Sequence, residues 1–190
     1  MALDGVVDFI DHTNIPGYNS VTSKKSYREE IFSSGHVHYA GQSIGLIVAT
    51  SSELAHKAAR MVLVSYTNMK KPLLDIKDVV KMPERVSSDT VGEPIIDGDE
   101  ETELAAAANT VTGEFQIGSQ YHFHLETQTC VVTPEEDGVR VVSSTQYMDA
   151  VQRTVAATLG IKESDVNISV RRLGGGFGKI PSPFFTFILS

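Results

Sequence analysis

Hydrophobic and polar residues alternate with changing period along this chain, and the changes mark its elements. Residues 5–11, GVVDFID, read as a short strand. The apolar run SIGLIVAT at 43–50 predicts a buried strand. SSELAHKAARM follows, with Ser51 or Ser52 as a cap, Glu53 in the first turn, and Leu54, Ala58, Met61 and Val62 on one helical stripe. VLVSYTN at 62–68 returns to strand chemistry, so residues 1–76 read as a βαβ-like unit with a Pro16-Gly17 loop near its start.

From about 77 to 113 the pattern lapses. KMPERVSSDTVGEPIIDGDEETE is polar, acidic and broken by two prolines, which reads as a linker, with a short helix predicted at TELAAAANT. A second unit starts at Glu114. FQIGSQYHFHLETQTCVVT and VRVVSSTQ read as strands joined by a PEEDG turn. YMDAVQRTVAATLG reads as a helix with Val151, Val155 and Leu159 on one face and Gly160 as its stop, and DVNISVRRL as a further strand. A strand–helix–strand crossover here makes the two strands parallel and brings their C-terminal ends to one sheet edge. Gln146 ends the first strand and Gly174 to Gly178 follow the second. Open α/β sheets favour ligands at such an edge.

Composition narrows the function classes. The chain has 190 residues, a formal net charge of −8 and no basic block, so nucleic acid is not an expected partner. The apolar tail at 184–189 is far shorter than the ~20 residues that span a bilayer, so no membrane partner is expected. The N-terminus lacks the basic flank and apolar core of a secretory signal. Cys130 is the single cysteine, which rules out an intrachain disulfide or a cysteine-ligated iron–sulfur cluster and fits a cytoplasmic setting.

The glycine loop RRLGGGFGK is the main chemical candidate. A P-loop would need glycine where Leu173 stands and a hydroxyl where Ile180 stands. A dinucleotide fingerprint would need a helix where prolines follow. A plain glycine turn and a close-approach loop walled by Phe177 both remain open.

Several motifs in order resemble the molybdenum hydroxylases, the aldehyde oxidases and xanthine dehydrogenases. GSQYHFHLET is similar to the family's G-Q-x-H-F-x-L-E-T segment, SSTQ to its S-T-Q segment, and GGGFGK to its G-G-G-F-G-G-K-E loop. YAGQSIGLIVATSSELAHKAARMVLVSYTN at 39–68 resembles the family's α/β hammerhead domain. The resemblance implies an α/β (α+β) chain: an N-terminally incomplete hammerhead at 1–76, a linker at 77–113, the start of the first molybdopterin-binding domain at 114–179 and a non-family tail at 180–190. It implies that Gln146 hydrogen-bonds the apical oxo ligand of molybdenum. Gly176, Phe177 and Gly178 would line the metal and its dithiolene. The reaction implied is hydroxylation of an aldehyde or N-heterocycle carbon with oxygen from water, with a base glutamate downstream of this chain. The implied parent is a homodimer most like aldehyde oxidase, whose 2Fe-2S and FAD groups lie upstream. Lys179 and Ile180 depart from the family loop. Gly178-Lys179 can be encoded as a splice donor, so the tail is expected to be translated intron. The isolated chain is expected to be inactive; the alternative is a non-catalytic binding or dimerisation module.

Other candidates read blandly. His122, His124 and Glu126 share a strand face and His36 and His38 repeat the spacing, but metal sites need more ligands and polar faces are common. Gln42 reads as holding a turn, Cys130 as a small buried group, and Gln120 and Glu126 as structural support. Arg171 and Arg172 can cap the strand end or meet a phosphate.

Overall fold

The computed structural model describes residues 3–21, 29–85, 97–118, 120 and 129–175. The chain divides into two units, one containing the described residues up to 62 and from 129 onward, the other those between 63 and 120.

In the first unit, β1 (Val6–Ile10) pairs antiparallel with β2 (Leu46–Ala49), with a bulge between Val6 and Asp8. Ser51 then caps α1 (Ser52–Ala59), its hydroxyl accepting the Leu54 N–H at 3.3 Å. Ala58 is the buried residue of α1, and the predicted stripe stops with it because the helix ends at Arg60. Met61 and Val62 lie beyond that end and stay about half exposed.

The βαβ-like reading of residues 1–76 does not hold. Residues 62–68 form no strand, although their composition favours one. A strand exists only where a neighbour completes its backbone hydrogen bonds, and β1 and β2 pair only with each other among the described residues.

The second half of this unit is a mixed sheet in the order β3-β4-β5: β3 (Cys130–Glu135), β4 (Gly138–Ser143) and β5 (Val166–Ser169). β3 and β4 form an antiparallel hairpin. β4 and β5 are parallel, with Val142 opposite Ser169, and α4 (Met148–Leu159) is their crossover. The predicted crossover is therefore present. Val141, Val151, Val155, Ala156 and Val166 form the core, with Cys130, Val139 and Ile168 packed against it. Burial of a valine contributes about 1.5–3 kcal/mol against about 1 kcal/mol for a hydrogen bond, so this apolar contact is the larger stabilising term. The predicted stripe of α4 holds for Val151 and Val155, whereas Leu159 in the last turn is about a third exposed.

The end of α4 is closed from far away in sequence. A helix leaves its last four carbonyls without intrahelical donors. Gly160 adopts φ 68°, and its N–H and that of Ile161 both reach the Ala156 carbonyl. The next two carbonyls are taken by another segment: Tyr18 N–H donates to Ala157 O at 2.8 Å and Gly17 N–H to Thr158 O at 2.9 Å. The Thr154 hydroxyl donates to Val21 O at 3.5 Å, and Val21 is fully buried. Asn19 holds this strap in place by bonding both the N–H and the carbonyl of Phe32.

The unit of residues 63–120 contains α2 (Ile76–Val79) and α3 (Glu100–Ala106), each begun by an aspartate cap, Asp75 and Asp99. None of its described residues is buried, and Leu63 and Val111 are 96% and 98% exposed. No helix among the described residues is long and apolar enough to cross a membrane.

Two outcomes follow. A Cβ on residue 17 would stand 2.0 Å from Ala157 O and 2.9 Å from Thr158 O. Gly17→Ala should therefore cost about 2–3 kcal/mol in urea denaturation, through overpacking and weakened hydrogen bonds. The second concerns Asp99, whose carboxyl is held below its ordinary 3.8 by the Thr102 hydroxyl, then by the Thr102 N–H. The lowered value makes its capping complete above 3.8 and lost as pH falls through the folded value beneath it. The Thr102 amide shift should titrate there, and Asp99→Asn should abolish that titration.

Candidate functional site

The candidate site lies at the C-terminal edge of β4 and β5, and the residues leading into it are hydroxyl-rich. Ser143 ends β4 on the same face as Val139 and Val141 and is 3% exposed. Its Oγ has no hydrogen-bond partner among the described residues. Ser144 extends the hairpin past the strand: its N–H donates to Thr129 O at 3.1 Å, and its Oγ accepts the Thr129 N–H at 3.3 Å. Thr145 is buried, and its Oγ1 accepts the Tyr147 N–H at 3.1 Å. Gln146 sits at the apex of that turn and is exposed.

α4 starts at once. Its N-cap, Tyr147, places no side-chain acceptor on the first turn. The partial positive charge of that helix end lies beside Gln146 and is offset in part by Asp149 in the first turn. Tyr147 is tied to its own helix, its hydroxyl accepting from Arg153 Nη2 at 3.4 Å.

On the neighbouring strand, β5 runs out into Arg171, Arg172 and Leu173 and then the glycine loop. Gly175 has φ +106°, which an L side chain rarely adopts. The parallel register places this exit on the same edge as Gln146. Of the four predicted site residues, Gln146 lies in the connection between β4 and α4, beyond the end of the strand at Ser143; Gly176, Phe177 and Gly178 lie outside the described residues, as do His122, His124 and Glu126. Gln42 holds a turn, its Oε1 accepting the His38 N–H at 2.7 Å. Cys130 is half-buried against the core. No group of three His, Cys, Asp or Glu among the described residues can hold a metal ion. Sequence reading missed Ser143 and Thr145; the signal was available as a run of three hydroxyl residues ahead of the glutamine.

The arrangement presents hydrogen-bond donors: the Gln146 amide and the first turn of α4, which has no side-chain cap. Two exposed arginines precede the loop. Such an edge suits an oxygen-rich, anionic ligand.

Known proteins carry the same organisation. Residues 82–189 match the molybdopterin cofactor-binding domain, and residues 1–70 the a/b hammerhead domain of aldehyde oxidase and xanthine dehydrogenase. The first of these matches takes in the segment that the sequence reading set apart as a tail. The chain is 36% identical over 182 residues to a xanthine dehydrogenase of Blastobotrys adeninivorans, covering 94% of this chain and 13% of that protein. It is 39% identical over 147 residues to abscisic-aldehyde oxidase of Arabidopsis thaliana, covering 73% of this chain and 11% of that protein. The crystal structure of quinoline 2-oxidoreductase from Pseudomonas putida 86 shares its fold, with a TM-score of 0.69 at 21% identity over 92% of this chain and 24% of that one. The chain thus spans about an eighth of the length of the curated relatives it matches.

A buried hydroxyl without a partner carries a desolvation cost and no compensating bond. Ser143→Ala should leave the protein unchanged or more stable by about 1 kcal/mol. A loss of comparable size in thermal unfolding would mean that the hydroxyl has a partner in solution.

Proposed function

Because this chain belongs to the molybdenum hydroxylases, the family of aldehyde oxidases and xanthine dehydrogenases, we propose that its β4–α4–β5 edge is part of a molybdopterin site. The observation that carries this reading is the parallel pairing of β4 and β5, which brings Gln146 and the entrance of the glycine loop to one side of the sheet. The donor set fits the group: an exposed amide, an uncapped helix start and a left-handed glycine face a ligand rich in oxygen acceptors.

In this reading the Gln146 amide donates to the cofactor, and Gly176, Phe177 and Gly178 complete the wall that approaches it. When bound, the cofactor supplies oxidation of a substrate carbon with water as the oxygen source. The substrate class is an aldehyde or an N-heterocycle. The aldehyde oxidase side of the family is preferred on the wording of residues 38–49, HYAGQSIGLIVA, the lean taken from the sequence. The parent is a cytoplasmic homodimer whose iron–sulfur and flavin groups sit in domains other than these.

A general base works best with a pKa raised toward neutrality. The three described carboxylates with displaced values, Asp11, Glu30 and Asp99, are all held low, each chiefly by a side-chain hydroxyl from Thr13, Ser34 and Thr102 respectively. They brace turns and are not tuned as bases. In this reading the described residues form a cofactor wall that is catalytically silent on its own. A second reading, a non-catalytic docking module, is favoured by one observation: Leu63, Leu74, Val111 and Phe115 are almost wholly exposed.

Pterin fluorescence titration of the purified chain tests the site. Gln146→Ala should weaken molybdopterin binding about tenfold or more, the scale of one hydrogen bond to a charged group. Equal binding by the variant removes Gln146 from the site. Aldehyde-dependent dye reduction should be absent from the isolated chain, and its presence would overturn the inactive-wall reading. Self-association in sedimentation, lost on Leu74→Glu, would favour the docking reading.

A further inference from the structure

We propose that Thr145 is the positioning residue for Gln146, an inference that rests on the molybdopterin reading of the edge. Gln146 is exposed and lies in the connection between β4 and α4, where a chain would otherwise be free to move. Its backbone is fixed on both sides. Before it, Ser144 is bonded to Thr129 through its own N–H at 3.1 Å and through its Oγ, which accepts the Thr129 N–H at 3.3 Å, so the hairpin ladder continues beyond β4. Across it, Thr145 Oγ1 accepts the Tyr147 N–H at 3.1 Å. That bond spans Gln146 and closes the turn that starts α4.

Burial separates the roles of these neighbours. Thr145 is 6% exposed while Gln146 and Tyr147 are exposed, so the side chain that makes the turn is locked in the protein and the one it presents is not. Tyr147 contributes no side-chain cap of its own, which leaves Thr145 as the acceptor that organises the helix start. A glutamine fixed in this way loses less freedom on meeting a ligand than one on a mobile loop. The threonine acts through its neighbour and need not touch the ligand.

The test compares Thr145→Val, which keeps shape and removes the acceptor, with Thr145→Ser, which keeps the acceptor. In the 190-residue chain, amide exchange at Tyr147 should rise about tenfold in the valine variant, with increased disorder at the Gln146 amide by relaxation. The serine variant should restore both. Amides of Val151 and Val155 should stay as in wild type, which separates positioning from general destabilisation. Molybdopterin titration should show about tenfold weaker binding for the valine variant and recovery for serine. Unchanged Gln146 and Tyr147 amides in the valine variant would overturn the proposal. So would loosened amides with unchanged binding, because the turn would then not serve the ligand. If the wild type binds no molybdopterin, the reading of the edge fails, and the exchange data alone decide whether Thr145 holds Gln146.

Discussion

Two backbone hydrogen bonds, from Gly17 and Tyr18 to the carbonyls of Thr158 and Ala157, are the constraint on which the described half-sheet depends. They complete the end of α4 with donors drawn from the beginning of the chain. Without them those carbonyls would have to be solvated, and Val21, which is fully buried alongside, would lose its cover. The contact also fixes the identity of residue 17. Thr158 and Ala157 come so close that any side chain there collides with the helix end. One glycine thus ties the hammerhead part of the sequence to the helix of the molybdopterin part.

From that anchor the rest follows in order. α4 lays Val151, Val155 and Ala156 on Val141 and Val166, so the sheet and helix share one small core. Gln152 adds a polar tie at the other end of the crossover, its Nε2 donating to the carbonyls of Glu163 at 3.0 Å and Val166 at 2.9 Å. The start of β5 is therefore held to the helix while its far end delivers the glycine loop. The edge is set by apolar packing behind it and hydrogen bonding around it, and Gln146 needs only to stand at the turn.

Much of this was legible in the sequence because each signal was local. The 3.6 period of α4, the stop at Gly160 and the β-rich runs on either side are written within a few residues, and they specify a parallel crossover almost unaided. The place of Gln146 follows from that topology. What was not legible depends on distant partners. Pro16-Gly17 reads as an ordinary turn, since nothing near it announces a helix end far along the chain. Residues 62–68 have strand composition without a pairing neighbour, and composition cannot report the absence of one. Ser143, which has no hydrogen-bond partner among the described residues, and the buried Thr145 were hidden for another reason: hydroxyl residues look like surface until the face they occupy is known.

Charge gives the edge a character different from that of the chain. The formal net charge is −8, and Asp97, Asp99, Glu100, Glu101 and Glu103 form a dense acidic stretch. At the β4–β5 edge the charges are mixed: Arg171 and Arg172 precede the glycine loop, and the dipole at the start of α4 is offset in part by Asp149 in its first turn. Fields from exposed charges fade over a Debye length of about 8–10 Å at physiological salt. An anion at the edge therefore responds to the charges beside it in the chain, the two arginines, the helix start and Asp149. Local donors, more than net charge, decide what this face can hold, and the donors assembled there are those an anionic, oxygen-rich group requires.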